Sequence, residues 1–458
     1  KEEPTKETLT GIVIHSSAPF RGKFECSDTL LNQIWKNITW GQRGNMMSVP
    51  TDCPQRDERL GWMGDAQIFA PTAFYNMNMN RFFVKWLRDI ADCQDTSGYV
   101  YDVNPAIVVG GPAKPGWGDA VVVVPYVTYL FTGDRSILEE NYDAMKKWIH
   151  YMDTKAKNHL YEFGDGDWGG YGDWVAVVPS PTKPTGGLYY YYSTKLLSEI
   201  AGIIGKKEDS AALAGHLPLI AQAYNAKYFY PDSGHYVANT QSMNLLPVAF
   251  GLAPENLRAE LIKKVAENVV QRDTHLTTGF MGTAYLLPLL SDYGYHDLAW
   301  KVATQTTYPS WGYMVKKGAT TIWELWNSDT ERPEGMNSRN HFAYGSVGEW
   351  YYRYLAGIQP DITQPGFKRI IFYPRPVGNL TYASADLMTG YGQVTIAWKK
   401  IGNQLQIEIQ IPANTSGKVR IPFEKGENTE IAESGKLIWK DGKQVKSSKG
   451  LTFVKQEN

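Results

Sequence analysis

From about residue 27 to Gly357 the chain repeats one apolar pattern at helical spacing, with little strand character between the repeats. Ser27 stands just ahead of the first run, in which Leu30, Leu31, Ile34, Trp35 and Ile38 share a face, so it is expected to cap that helix. Further helices are predicted over Ala66 to Asn76, Asn80 to Cys93, Asp119 to Leu130, Ser136 to Lys155, Gly187 to Ile204 and Asp209 to Tyr228. The series continues with Ser242 to Gly251, Pro254 to Gln271, Gly279 to Leu290, His296 to Gln305 and Ala343 to Leu355. About twelve helices result, joined alternately by short turns and by long loops rich in Gly, Trp and Pro. An open solenoid would require a repeat of fixed period, and none is visible. The pattern therefore points to a closed ring of helical hairpins, with the long loops gathered at one end to build a cleft.

After Ile358 the texture changes to short alternating runs such as Val394 to Trp398, Leu405 to Ile409 and Val419 to Ile421, separated by Gly-Asn, Asp-Gly and Pro-Gly turn signals. This reads as an antiparallel β-sandwich of roughly a hundred residues without a catalytic cluster of its own. A chain of 458 residues exceeds what one core usually serves, so a large and a smaller domain are expected. The divisions are 1–24, a connector with strand character over Leu9 to Phe24; 25–358, the helical domain; and 359–458, the β-sandwich.

Lys and Arg number 46 against 47 Asp and Glu, which leaves no broad basic surface for nucleic acid and no polyacidic tail. The most apolar run, Ala120 to Phe131, is too short to span a bilayer and is interrupted by Pro125; it is read as a buried helix, and no membrane partner is expected. Cys26, Cys53 and Cys93 have neither metal spacing nor a paired framework. The eight histidines show no ligand spacing either, so no metal or other cofactor is expected. The chain opens on Lys1 without an apolar leader, as a processed or excised piece would. Compartment and oligomeric state are not legible. By contrast, 15 Trp and 29 Tyr exceed what a core requires. Their flat apolar faces with a polar handle suit sugars, which makes carbohydrate the expected substrate class.

The segment Val49 to Asp65 concentrates Asp52, Asp57, Glu58 and Asp65 with Arg56, Arg59, Trp62 and two prolines. Crowded carboxylates keep one of their number protonated near neutrality and so can supply a general acid, with the arginines compensating the rest or gripping hydroxyls. An ion-paired helix start, with Asp65 at an N-terminus, is the competing reading. In the second constellation, Gly318 to Asn327, Glu324 stands between Trp323 and Trp326 in an apolar stretch. Burial there can tune a carboxylate toward general-base duty; alternatively it is a buried glutamate paired to an arginine. Gly116 to Ala120 and Tyr171 to Trp174 each set an Asp beside a Trp among glycines, offering a stacking face and a hydroxyl acceptor, or else an ordinary turn before a helix. The stretch Gly164 to Gly169 formally matches G-x-G-x-x-G, but its two aspartates would repel a pyrophosphate and no strand leads into it, so a nucleotide site is discounted. It also fails the EF-hand pattern, because Gly169 occupies a ligand position, and nothing else in the stretch supports calcium. His341, in a polar cluster ahead of the last helix, reads as a helix-start contact or a sugar contact.

These residues carry a resemblance. VPTDCPQRDERLGWMGDAQ, followed in order by GWGDA, YGDW, HLTTGFMGT, YPSWGYM, GATTIWELW and NHFAYGSVGEW, resembles the catalytic region of the α-L-rhamnosidases of glycoside hydrolase family 78. PGFKRI, PRP and TGYGQV resemble that family's last domain. The resemblance implies a mainly α chain, an (α/α)6 barrel followed by an antiparallel β-sandwich, that releases terminal α-L-rhamnose from oligosaccharides, polysaccharides or glycosides by inversion. In that frame Glu58 matches the general acid and Glu324 the general base. Asp52, Arg56 and Asp65 match hydroxyl-binding positions, Trp62, Trp117, Trp174 and Trp323 look like apolar walls, and His341 is a further sugar contact. Two other functions stay in view: an inverting barrel hydrolase of another sugar, and a sugar-binding relative without catalysis. Family members carry β-sandwich domains ahead of the barrel, whereas this chain starts almost at it, so a short member or an excised piece is expected.

Overall fold

The computed structural model describes residues 3, 5–164, 170–330, 338–422, 430–440, 443–446, 450 and 452. The glycine-aspartate stretch discounted as a nucleotide or calcium site falls largely outside them, at 165–169.

The helices, in chain order, are α1 (Thr29–Asn45), α2 (Met63–Asn76), α3 (Asn80–Cys93), α4 (Ala120–Thr132), α5 (Ser136–Lys155) and α6 (Lys183–Ile203). They continue with α7 (Lys207–Tyr228), α8 (Gln241–Phe250), α9 (Glu255–Gln271), α10 (Phe280–Asp292), α11 (His296–Ala303) and α12 (Trp311–Lys316). A final helical segment runs as a 3-10 turn over Ala343–Val347, as α13 over Gly348–Trp350, and as a wider turn over Tyr351–Ala356. The helices α2, α4, α6, α8 and α10 pack each on the next, and this last segment packs on both α10 and α2, which closes the ring. The remaining helices of the hairpins lie outside. Burial follows from that division. Inner α2 is buried at every position from Met63 to Asn76 except Pro71, whereas outer α3 buries only Phe82, Phe83, Trp86, Leu87 and Ile90 and presents charge elsewhere.

Two differences from the sequence reading have simple causes. The first helix is capped not by Ser27 but by Asp28, whose carboxylate accepts from the Leu31 N–H at 3.0 Å. The Ser27 hydroxyl instead accepts from the Thr381 N–H at 2.9 Å, tying the chain start to the C-terminal region. The expected strand over Leu9 to Phe24 is limited to β1 (Gly22–Cys26); Leu9, Ile12, Val13 and Ile14 are exposed and have no strand neighbour.

The remaining strands are β2 (Met46–Met47), β3 (Val49–Pro50), β4 (Phe229–Tyr230), β5 (His235–Tyr236), β6 (Ile358–Pro360), β7 (Arg369–Phe372), β8 (Tyr382–Thr389) and β9 (Gly392–Ile401). After them come β10 (Gln404–Gln410), β11 (Ser416–Val419), β12 (Glu430–Glu433), β13 (Lys436–Lys440) and β14 (Lys443–Gln444). One sheet is ordered β1-β8-β9-β10 and another β11-β7-β6. The first is antiparallel throughout. In the second, β11 runs parallel to β7, so the C-terminal domain is not purely antiparallel. Strand β8 alternates buried and accessible positions, and β9 buries Val394, Ile396 and Trp398. This period-2 face is the one packed toward the helical barrel.

Candidate active site

The residues singled out from sequence collect where the loops enter the N-terminal ends of the inner helices. Ahead of α2, Thr51 is pinned by hydrogen bonds from its N–H and its hydroxyl to the Asn45 carbonyl, both 2.8 Å. Buried Asp52 then accepts from the Leu60 N–H at 2.9 Å, closing the intervening loop on itself. Within that loop Arg56 turns its guanidinium inward. Nε donates to Glu58 Oε2 at 2.7 Å, Nη2 lies 2.5 Å from the same oxygen and 3.3 Å from Asp52 Oδ2, and Nη1 reaches Glu324 Oε2 at 3.1 Å. Glu324, only 2 % exposed, is fixed by its own backbone: its N–H donates to the Ser338 carbonyl at 2.9 Å, and its Oε2 accepts from the Ser338 N–H at 3.2 Å. Glu324 is thus a buried glutamate paired to an arginine, and that arginine is the one that grips Glu58. Asp57 points away into solvent beside Arg59.

Asp65 lies in the first turn of α2, with Oδ1 3.0 Å from Nε2 of His341, and both side chains are buried. The His341 N–H donates to the Ile322 carbonyl at 2.8 Å, which places the ring. Burial works to lower the His341 pKa. The hydrogen bond and charge of Asp65, with Glu324 and Asp52 nearby, outweigh burial and leave it raised. Burial pushes Asp52 up to about 6, reinforced by the charge of Glu58 and opposed by the Cys53 thiol, His341 and the Leu60 N–H. Asp52, Cys53 and Glu58 bring potential metal-ligand atoms within 4.8 Å of one another. A metal fits them poorly: Arg56 already bridges the two carboxylates, and burial holds the Cys53 thiol up at about 12.

Trp62 donates its indole N–H to Glu58 Oε1 at 2.8 Å, so both oxygens of Glu58 are engaged. The Trp62 ring meets Tyr171 edge-on at 5.9 Å, and Tyr171 also meets Trp117 at 4.7 Å and Trp174 at 5.7 Å. Trp117 fits because residue 64 is a glycine; a Cβ there would stand 2.5 Å from the indole. Trp323 is outside this aromatic group, buried with Arg339 over its ring at 5.7 Å.

Of the two readings of Asp119 and Asp173, the hydrogen bonds match the turn ahead of a helix rather than a free hydroxyl acceptor. Asp119 accepts from the Gly116 N–H, the Trp148 indole and the Ser193 hydroxyl at 2.8, 3.2 and 2.6 Å. Asp173 accepts from the N–H groups of Gly279 and Gly282 at 2.7 and 3.0 Å and from the Ser242 hydroxyl. Three residues escaped the sequence reading: Tyr171 itself, buried Asp102, and Lys114, whose ammonium meets Asp102 Oδ2 at 2.6 Å. Tyr171 lay inside a noticed motif, whereas Asp102 and Lys114 had no flanking signal.

Residues 19–355 match the family model described as the bacterial alpha-L-rhamnosidase 6 hairpin glycosidase domain, and residues 357–436 match the bacterial alpha-L-rhamnosidase C-terminal domain. An alpha-L-rhamnosidase of Formosa agariphila is 36% identical over 466 residues, covering 99% of this chain and 49% of the relative. The solved structure of Streptomyces avermitilis alpha-L-rhamnosidase complexed with L-rhamnose is 39% identical and covers 95% of this chain and 42% of that one, with a TM-score of 0.88. That of the Dictyoglumus thermophilum alpha-L-rhamnosidase is 36% identical and covers 98% and 50%, with a TM-score of 0.90. The chain spans about half, or less, of the length of these relatives.

Proposed function

The chain belongs to the bacterial α-L-rhamnosidase family of six-hairpin glycosidases, and from that premise we propose that it hydrolyses terminal α-L-rhamnosides with inversion, Glu58 acting as general acid and Glu324 as general base. The observation that carries this reading is the shared guanidinium: Arg56 holds Glu58 on one edge and, 268 positions along the chain, Glu324 on another. One guanidinium and two hydrogen bonds separate the carboxylates. That spacing suits the roughly 6.5–9.5 Å which leaves room for a water between acid and base.

Glu58 Oε1 accepts from Trp62 and Oε2 from Arg56. To act as an acid, Glu58 must carry a proton on one of these oxygens. Sugar hydroxyls entering beside Arg56 take over its donors, and Oε2 is then free to be protonated. Glu324 removes a proton from a water on the opposite face of the ring as that water bonds to the anomeric carbon. Glu58 gives its proton to the departing oxygen as the glycosidic bond breaks. Asp52, Asp65 and His341 hold hydroxyls, while Trp62, Trp117 and Trp174 line the apolar side, where the methyl group of a 6-deoxy sugar is favoured.

NMR of the sugar first released from an α-rhamnoside should give the β-anomer, and an α-anomer would overturn inversion. Glu58→Gln and Glu324→Gln should each lower kcat by about a hundredfold or more with folding unchanged. Near-normal turnover in either variant would reject its role. Cleavage of another sugar in a panel of nitrophenyl glycosides, in place of the rhamnoside, would move the substrate assignment.

A further inference from the structure

Among the described residues Trp62 contributes the only neutral donor bonded to the proposed acid, and its aim depends on what holds its ring and backbone. Both are held by Asp102. The Asp102 carbonyl accepts from the N–H of Met63, the residue after Trp62, at 2.9 Å. Trp62 forms an antiparallel bridge with Val103, the residue after Asp102. The Asp102 side chain holds the other end: Oδ2 accepts from the Tyr171 hydroxyl at 3.1 Å, and the Tyr171 ring stands edge-on to the Trp62 indole at 5.9 Å. Lys114 completes the clamp. Its N–H donates to Asp102 Oδ1 at 2.7 Å, its ammonium to Oδ2 at 2.6 Å, and the same ammonium lies 5.1 Å from the Tyr171 ring centre. The carboxylate is fully buried, and a buried carboxylate held by a backbone N–H, an ammonium and a phenol hydroxyl is a rigid anchor.

We propose that Asp102, Lys114 and Tyr171 form a positioning clamp that fixes the Trp62 indole against Glu58, so that Tyr171, which bonds to neither carboxylate, controls how well Glu58 delivers its proton to the leaving group. The tether exists on both sides of Trp62. Its backbone is bridged beside Asp102, and its ring is braced by a tyrosine hydrogen-bonded to Asp102. Loosening the brace lets the indole N–H swing off Glu58 Oε1 and changes where the carboxyl group points. Arg56 grips the other oxygen, and among the described residues no hydrogen bond joins Trp62 to Glu324, so delivery of the leaving-group proton is the step affected.

This inference rests on the assignment of Glu58 as the acid, and leaving-group dependence separates the two. A poor leaving group, as in methyl α-L-rhamnoside, needs the proton; 2,4-dinitrophenolate departs almost without it. Tyr171→Phe keeps the ring and removes the tether to Asp102, while Tyr171→Leu removes both. For the methyl glycoside, kcat/KM should fall roughly tenfold in Tyr171→Phe and further in Tyr171→Leu. For the dinitrophenyl glycoside it should change by less than about twofold. Equal losses on both substrates, or none in either variant, would overturn the clamp. If Glu58→Gln also fails to discriminate between the leaving groups, the acid assignment itself falls and the clamp with it. If Glu58→Gln discriminates and the tyrosine variants do not, only the clamp is rejected. Unchanged melting temperature in Tyr171→Phe, paired with the selective loss, excludes a general weakening of the fold.

Discussion

Arg56 shows how much one side chain decides at the residue scale. Three carboxylates from two distant loops converge on its guanidinium, and a lysine, a point donor without a planar fork, could not hold two edges at once. The cluster was legible in the sequence because charge density in a short segment is abnormal for either a core or a solvated helix face. The partner of Glu324 was not, since no local pattern announces a contact 268 positions away. Asp119 and Asp173 were left with two readings for a related reason: a Gly-Asp-Trp string looks the same whether its carboxylate faces a ligand or a ring of backbone N–H groups. A pH prediction follows from the Asp65–His341 pair. The folded state raises the His341 pKa, so the pair stabilises in full below the unfolded histidine value, about 6.5, and that contribution is lost as pH rises through the folded value. The difference in unfolding free energy between the wild type and His341→Gln should be larger at acidic than at alkaline pH. Denaturant titrations giving the same difference on both sides would refute the pairing.

At the scale of elements, the long helices were readable because their apolar stripes recur over several turns. The six-residue α12 was missed because it is too short for periodicity to register. The last helix was expected to be regular over Ala343 to Leu355, yet it passes through three helical forms. The close seats of Gly345 against Phe69 and of Gly348 against Thr72 indicate why: a Cβ at these positions would stand 3.0 and 2.6 Å from those side chains, so the segment is set by the neighbouring inner helix rather than by its own propensity. The N-terminus of α10 is likewise made from outside. Asp173 receives the N–H groups of Gly279 and Gly282, which caps a helix far along the chain. Asp173→Ala should destabilise the protein by about 1–3 kcal/mol, because these buried donors lose their acceptor. Thermal unfolding would register this as a fall of several degrees. A variant as stable as the wild type but with a raised KM would return Asp173 to the role of a sugar contact.

For the whole molecule, the sequence places a boundary near Ile358, and the texture does change there, but the packing does not stop. Strand β1, at the start of the chain, pairs with β8 in the C-terminal sheet, from Gly22 opposite Leu387 to Cys26 opposite Ala383. The Trp398 indole donates to the Leu355 carbonyl at 2.7 Å, the Tyr75 hydroxyl to the Ile358 carbonyl at 2.9 Å, and the Gly366 N–H to the Leu130 carbonyl at 2.9 Å. Arg375 reaches back to Asp292 at the end of α10. The buried apolar side chains form one cluster that includes Phe24, Tyr75 and Leu355 from the barrel side and Leu387, Ile396 and Trp398 from the sheet. Such an interface leaves neither part a finished surface. Without the sheet, β1 loses its partner strand β8 and the floor of the inner ring exposes aromatic rings; without the barrel, the buried face of β8 and β9 is bare. Calorimetry of the chain should therefore give a single cooperative transition with equal calorimetric and van't Hoff enthalpies. A chain ended after Gly357 should lack that transition and bind a dye specific for exposed apolar surface. Two resolved transitions in the full chain, or a cooperatively folded barrel without the sheet, would mean that the two domains are stable apart and that the shared core is contact without coupling.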